Sequence, residues 1–268
     1  MFEKELKDMI FIAKKASSLL LDYYNKHVEV EIKSDNSPVT IADKESNKLI
    51  TTYLKEKYPT YAFLSEEDKD DLNRLNNDLV FIIDPLDGTE DFIKHTDQFA
   101  INIALSYKHE IVAGVIAVPF YKKIYYGLED SGAFVIEGDT TKRISVSNKT
   151  EDLTCLTSVF HFSEKEKELI TKHSDKIKNV TKCGSSYKAC LIAEGKAELT
   201  YRLQPGTKEW DTAPFEIIVK EAGGVVLKPD FTPMKYNRED VYNREGYIIA
   251  NKKENILLWK ILRFCSVF

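Results

Sequence analysis

The run Leu79-Val80-Phe81-Ile82-Ile83 stops abruptly on Asp84-Pro85-Leu86-Asp87-Gly88-Thr89. β-Branched and aromatic residues fill the run, which reads as a buried strand. Pro85 cannot donate to a sheet ladder, so the strand is expected to end there. Two carboxylates, a glycine and a hydroxyl then share one tight turn at the strand tip. Glu90 to Lys94 can begin a helical turn, which would aim the Gly88 and Thr89 amides at an anion. Taken alone, Asp-Pro-x-Asp-Gly is more often a surface turn with an Asx cap. Two other acidic clusters of matching character favour a site for a hard cation and phosphate. Mg²⁺ takes a few carboxylates together with water and phosphate oxygens. Asp84 and Asp87 suit it, and the turn forces the Leu86 carbonyl outward.

With 268 residues, 43% of them hydrophobic, the chain can bury a large core in one large domain or two closely packed ones. The 38 basic and 43 acidic residues leave a net charge of −5. No basic tract stands out, which argues against a nucleic-acid polymer as partner. Neither a secretory leader nor an apolar run of about 18 residues is visible, so a cytoplasmic location is expected. Cys155, Cys183, Cys190 and Cys265 lack metal-site spacing and read as scattered reduced thiols.

Taken in order, Phe2 to Asn25 shows apolar residues at three- and four-residue steps and is predicted as a helix. Val28 to Ile32 suits an edge strand, and residues 33–38 a polar loop. A second helix is expected to about Lys57, with Thr40 and Asp43 as cap and first turn. Tyr61 to Leu64 reads as a strand ending at Ser65-Glu66-Glu67-Asp68. Strands are then expected over 99–107, 111–118, 124–128 and 133–136, with links short enough for an antiparallel sheet. From about Asn148, strands and helices alternate, ending in a helix over 255–264. The fold class is therefore α+β followed by α/β. The division expected is 1–147, an antiparallel sheet with helices, and 148–268, an α/β half.

Asp84-Pro85-Leu86-Asp87-Gly88-Thr89 resembles the signature of the inositol monophosphatase superfamily, Mg²⁺-dependent and lithium-sensitive phosphatases. Trp210-Asp211-Thr212-Ala213 resembles its companion motif. Haloacid-dehalogenase phosphatases place one residue between their aspartates, whereas two intervene here. The resemblance implies a layered sugar-phosphatase fold. It implies metal ligands at Glu66, Asp84, Leu86 (through its carbonyl), Asp87 and Asp211, with Glu67 as the neighbouring alternative to Glu66. It also implies two or three Mg²⁺ ions and in-line attack by a metal-activated water. Thr89, oriented by Asp43, would position that water. By themselves Asp43 and Asp211 would read as helix caps. Four carboxylates in one cleft require cations, or carboxyl pKa values raised in their absence.

Gly184-Ser185-Ser186-Tyr187-Lys188 and Tyr201-Arg202, followed by Gly206 to Ala213, resemble the CysQ-type 3′(2′),5′-bisphosphate nucleotidase branch. Gln204-Pro205-Gly206-Thr207, one residue longer than usual, and Pro214, in place of a small residue, depart from it. The branch implies a small substrate, 3′-phosphoadenosine 5′-phosphate, hydrolysed to AMP and phosphate in sulfur metabolism. A second phosphate needs cations, and Lys188, Arg202 and Lys208 are candidates, Arg202 foremost. Glu66, Asp87, Gly88, Thr89, Ser185, Ser186 and Asp211 complete the candidate substrate contacts. A monomer or homodimer is compatible with the reading. The alternatives are an inositol- or sugar-phosphate phosphatase and a non-catalytic nucleotide- or metal-binding regulator.

Overall fold

The structure, a computed structural model, describes residues 1–26, 29–33 and 37–257. Most of the helix expected over 255–264 lies outside the described residues, as does Val28 of the first expected strand.

The chain opens with α1 (Glu3–Tyr24), a hairpin of β1 (Val30–Ile32) and β2 (Pro38–Thr40), and α2 (Ile41–Lys57). Next come β3 (Ala62–Ser65), β4 (Leu79–Asp87), α3 (Thr89–Ile93), β5 (Ala100–Tyr107), β6 (Glu110–Val118), β7 (Lys123–Leu128), β8 (Gly132–Glu137) and β9 (Thr140–Ile144). β3 to β9 form a seven-stranded sheet in chain order. The antiparallel expectation holds except at its edge, where β3 and β4 pair in parallel. Residues 66–78, with a 3-10 turn at Leu72–Asn76, supply the crossover that parallel pairing demands. β9 was not legible in the sequence because it is polar and exposed except at Ile144.

The second part runs β10 (Leu153–Thr157), α4 (Glu164–Lys172), β11 (Ile177–Lys182), α5 (Tyr187–Ala193), β12 (Leu199–Arg202), β13 (Thr207–Lys208), α6 (Glu209–Glu221), β14 (Val225–Leu227), β15 (Tyr242–Asn243) and β16 (Tyr247–Ala250). Its five-stranded sheet has the order β11-β10-β12-β16-β14, parallel at β10 and antiparallel around β16.

Strand alternation sorts the layers. In β4, Phe81 and Ile83 pack with α1 and α2, while Val80 and Ile82 face α5 and α6. In β16, Tyr247 and Ile249 join α5 and α6, while Ile248 and Ala250 face α4. The order of layers is therefore helix, sheet, helix, sheet, helix. Both faces of β4 are covered, which is why its sequence is continuously apolar rather than alternating. Among the described residues, no helix is long and apolar enough to cross a membrane.

Candidate active site

β4 does not end at Pro85. It runs on to Asp87, which pairs with Ala100 across a register shift between Asp84 and Asp87. Proline is tolerated because the ladder is already interrupted there. Ser46 of α2 donates its hydroxyl to the Pro85 carbonyl at 2.8 Å, holding the bulge from below. Gly88 then turns the chain with φ +85°, a left-handed conformation that costs glycine little, and α3 begins at Thr89.

Asp43 sits at the third position of α2 and is buried. Its Oδ2 accepts from the Thr40 amide at 2.8 Å and the Thr40 hydroxyl at 2.6 Å. Its Oδ1 accepts from Thr89 Oγ1 at 3.0 Å. The helix cap and the link to the Asp-Gly-Thr turn thus coexist in one carboxylate. Thr89 Oγ1 also lies 3.3 Å from the Leu86 carbonyl. A hydroxyl has one proton, and the shorter contact with the charged acceptor claims it.

Asp211 occupies the third position of α6, where its Oδ2 accepts from the Lys208 amide. That position brings it to Asp84 and Asp87, with carboxylate oxygens of all three within 4.8 Å of one another. Glu66 is the next charge out. It lines, with Asp211, Lys208, Trp210, Gly206, Tyr242 and Ser37, a cavity of about 310 Å³. Burial pushes the Asp84 carboxyl well above its ordinary range, and Glu66, Asp87 and Asp211 add repulsion. Asp211 is raised in the same way, by burial and then by Asp87 and Glu66. Asp87 is raised by burial despite hydrogen bonds from Ser186 and Asn102 and the nearby Lys188 charge. Converging hard oxygen donors whose ionised forms repel are what a divalent cation relieves, so the donor set fits Mg²⁺.

Lys33, placed in a polar loop by the sequence, bridges Glu66 at 3.1 Å and Glu67. Burial works to lower its pKa, but the two carboxylates outweigh it and keep the amine charged.

Two candidates in the second part of the chain, Lys188 and Ser186, have inward hydrogen-bond partners. Lys188 is buried, and its Nζ donates to the Cys183 and Ser185 carbonyls at 3.1 and 2.8 Å. Its amine closes the 183–186 turn, and its charge also acts on the Asp87 and Asp91 carboxyls. Ser186 is also buried; its hydroxyl donates to Asn102 Oδ1 at 2.7 Å and its amide to Asp87. Both groups serve the interior. Ser185 Oγ accepts from the Tyr187 amide, and its Cβ lies against Gly88. Arg202, at the end of β12, donates from Nη1 to the His161 carbonyl at 2.6 Å, while its Nε is buried with no hydrogen-bond partner among the described residues. Lys208 flanks the cavity with its amine over the Trp210 and Tyr242 rings.

Asn102 was missed. It is fully buried in β5, between Ile101 and Ile103, and touches Asp87, Ser186 and Trp210. One amide inside the apolar run Ala100 to Leu105 was the signal that could have found it.

The inositol monophosphatase family pattern matches residues 4–266. A 3′(2′),5′-bisphosphate nucleotidase CysQ of Haemophilus influenzae is 34% identical over 252 residues, 92% of this chain and 93% of that protein. The protein of the same name from Escherichia coli K12 is 32% identical, covering 89% of this chain and 96% of its own. The crystal structure of CysQ from Bacteroides thetaiotaomicron superposes with TM-score 0.83 at 33% identity, over 94% of this chain and 99% of that one. The extragenic suppressor protein suhB of Bartonella henselae gives TM-score 0.80 at 27% identity, over 97% and 99%. Matched by the family pattern over residues 4–266 and by the CysQ crystal structure over 94% of its length, the chain belongs to the inositol monophosphatase family.

Proposed function

We propose that the protein is a Mg²⁺-dependent phosphatase of bisphosphate nucleotides that removes the 3′-phosphate of 3′-phosphoadenosine 5′-phosphate, leaving AMP. The observation that carries this reading is the meeting of Asp84, Asp87 and Asp211 beside a cavity walled by Glu66. Similarity to proteins named 3′(2′),5′-bisphosphate nucleotidase supports the substrate class.

Asp84, Asp87, Asp211, Glu66 and the Leu86 carbonyl would hold two or three Mg²⁺ ions. Bound there, Mg²⁺ supplies Lewis-acid polarisation of the phosphoryl group and neutralises charge on the departing oxygen. Thr89 gives its proton to Asp43, so its oxygen presents lone pairs to an incoming water. Asp43, fixed by three hydrogen bonds from Thr40 and Thr89, keeps that hydroxyl from rotating. The amides that open α3 have no intrahelical acceptor and can bind a phosphoryl oxygen. Arg202 and Lys208 are the cations best placed for the phosphate that is retained, and the Ser185 side of the turn borders Gly88.

Phosphate release is to be measured from 3′-phosphoadenosine 5′-phosphate and from inositol 1-phosphate, each with Mg²⁺ and with chelator. Faster turnover of the nucleotide, abolished by chelator, is expected. Preference for the inositol ester would replace the substrate assignment. No Mg²⁺-dependent release from either would leave a non-catalytic binding role.

A further inference from the structure

Asn102 and Pro214 come from different layers, yet they meet at one atom, the Trp210 carbonyl oxygen. In an α-helix that oxygen accepts from the amide four residues on. In α6 that residue is Pro214, which has no N–H. The oxygen is supplied from outside the helix instead, by Asn102 Nδ2 at 3.3 Å. The same nitrogen lies 3.3 Å from Asp87 Oδ2. Both partners are pure acceptors, so the amide nitrogen must face them, and its two protons serve one each. The remaining atom, Oδ1, accepts from the Ser186 hydroxyl at 2.7 Å. Every polar atom of the buried amide is therefore used.

The consequence is geometric. Trp210 immediately precedes Asp211, and Asp87 is the last residue of β4. One rigid amide spans the two, so it sets how far the first turn of α6 stands from the end of β4. Aspartate at 102 could only accept, and serine has one proton for two acceptors. We propose that Asn102 is a positioning residue that fixes the separation of the Asp87 and Asp211 carboxylates, and that Pro214 makes it necessary by leaving the Trp210 carbonyl open. This inference rests on the reading of those carboxylates as cation ligands.

Calorimetric titration with Mg²⁺ alone, well below the melting temperature, tests it. Asn102→Ala is expected to weaken Mg²⁺ binding about tenfold, the scale of losing a partner that orients a ligand. At saturating Mg²⁺ its kcat should return to within about threefold of wild type, since no reacting group has been removed. Pro214→Ala alone should bind as wild type does. In the Asn102→Ala background it should recover part of the affinity, because alanine restores the helical donor to Trp210. Binding by Asn102→Ala within twofold of wild type would overturn the positioning role. Failure of Pro214→Ala to rescue would overturn the link to proline. If Asn102→Ala does not fold, Asn102→Ser replaces it, with a smaller loss expected. Wild type that binds no Mg²⁺ would count against the metal reading itself, a result distinguishable from both.

Discussion

Thr89 Oγ1 donates to Asp43 Oδ1 across 3.0 Å, joining residues 46 positions apart. The contact connects the first turn of α2 to the first residue of α3, and α2 is in turn pinned to β4 by Ser46. Thr89→Ala is expected to lower kcat by about a hundredfold with KM little changed, the scale of losing a positioned proton acceptor. Thr89→Ser keeps the hydroxyl and should retain most activity. Steady-state kinetics decide it: an alanine variant as fast as wild type would remove Thr89 from the mechanism.

The crowding of Asp84, Asp87 and Asp211 predicts an inverse effect on stability. Asp84→Asn removes a buried charge that its neighbours repel, so the metal-free variant should melt higher than metal-free wild type. The rise in melting temperature that Mg²⁺ gives wild type should shrink at the same time. A metal-free Asp84→Asn that melts lower would contradict the electrostatic account.

The same carboxylates give a pH dependence whose sign can be stated. A raised carboxyl in the native state binds a proton more tightly than in the unfolded chain, which titrates near 3.8. Stability from this source is fully present below that value and is lost as pH rises through the native one. Metal-free wild type should therefore lose stability with rising pH more steeply than Asp84→Asn, and saturating Mg²⁺ should reduce the difference. Urea titrations over a pH series would show it.

Glu216, on the helix that carries Asp211, makes a second and separable contribution. Its carboxylate is buried beside the buried Tyr236 hydroxyl, which opposes the rise in its pKa. Burial pushes its carboxyl up from 4.5 to about 7, with Glu110 adding to the rise. That shift corresponds to about 3 kcal/mol of stability present below the lower value and lost as pH passes the upper. Glu216→Gln should match wild type near pH 4 and exceed it near pH 8, as read from denaturation midpoints. Parallel pH curves for the two proteins would refute this.

Gly184 allows the turn before α5 to lie against Asp91. A Cβ at this position would stand 2.6 Å from the Asp91 carboxylate, while the Gly184 amide donates to Gln98. Gly184→Ala should cost about 1–3 kcal/mol, the usual penalty for forcing atoms into a packed site. It should also reduce activity, because the displaced turn carries the Ser186 amide that holds Asp87. A variant as stable and as active as wild type would show that the turn can yield.

The chain's order alone determined what depends on near neighbours. An apolar run broken by Asp84-Pro85, the Thr40-Asp43 cap, and Asp211 in a helix's first turn are all decided within a few residues. What depended on distant neighbours was settled only by folding. β4 continues past Pro85 because β5 offers Ala100 as a partner for Asp87 beyond the bulge. Lys188 and Ser186 turn inward because the 183–186 turn leaves carbonyls, Asp87 and Asn102 to be satisfied without water. Lys33 finds Glu66, and Asn102 finds Trp210, 108 residues away. A side chain's chemical type is fixed by its own position, but what it bonds to is fixed by which surfaces exclude water together.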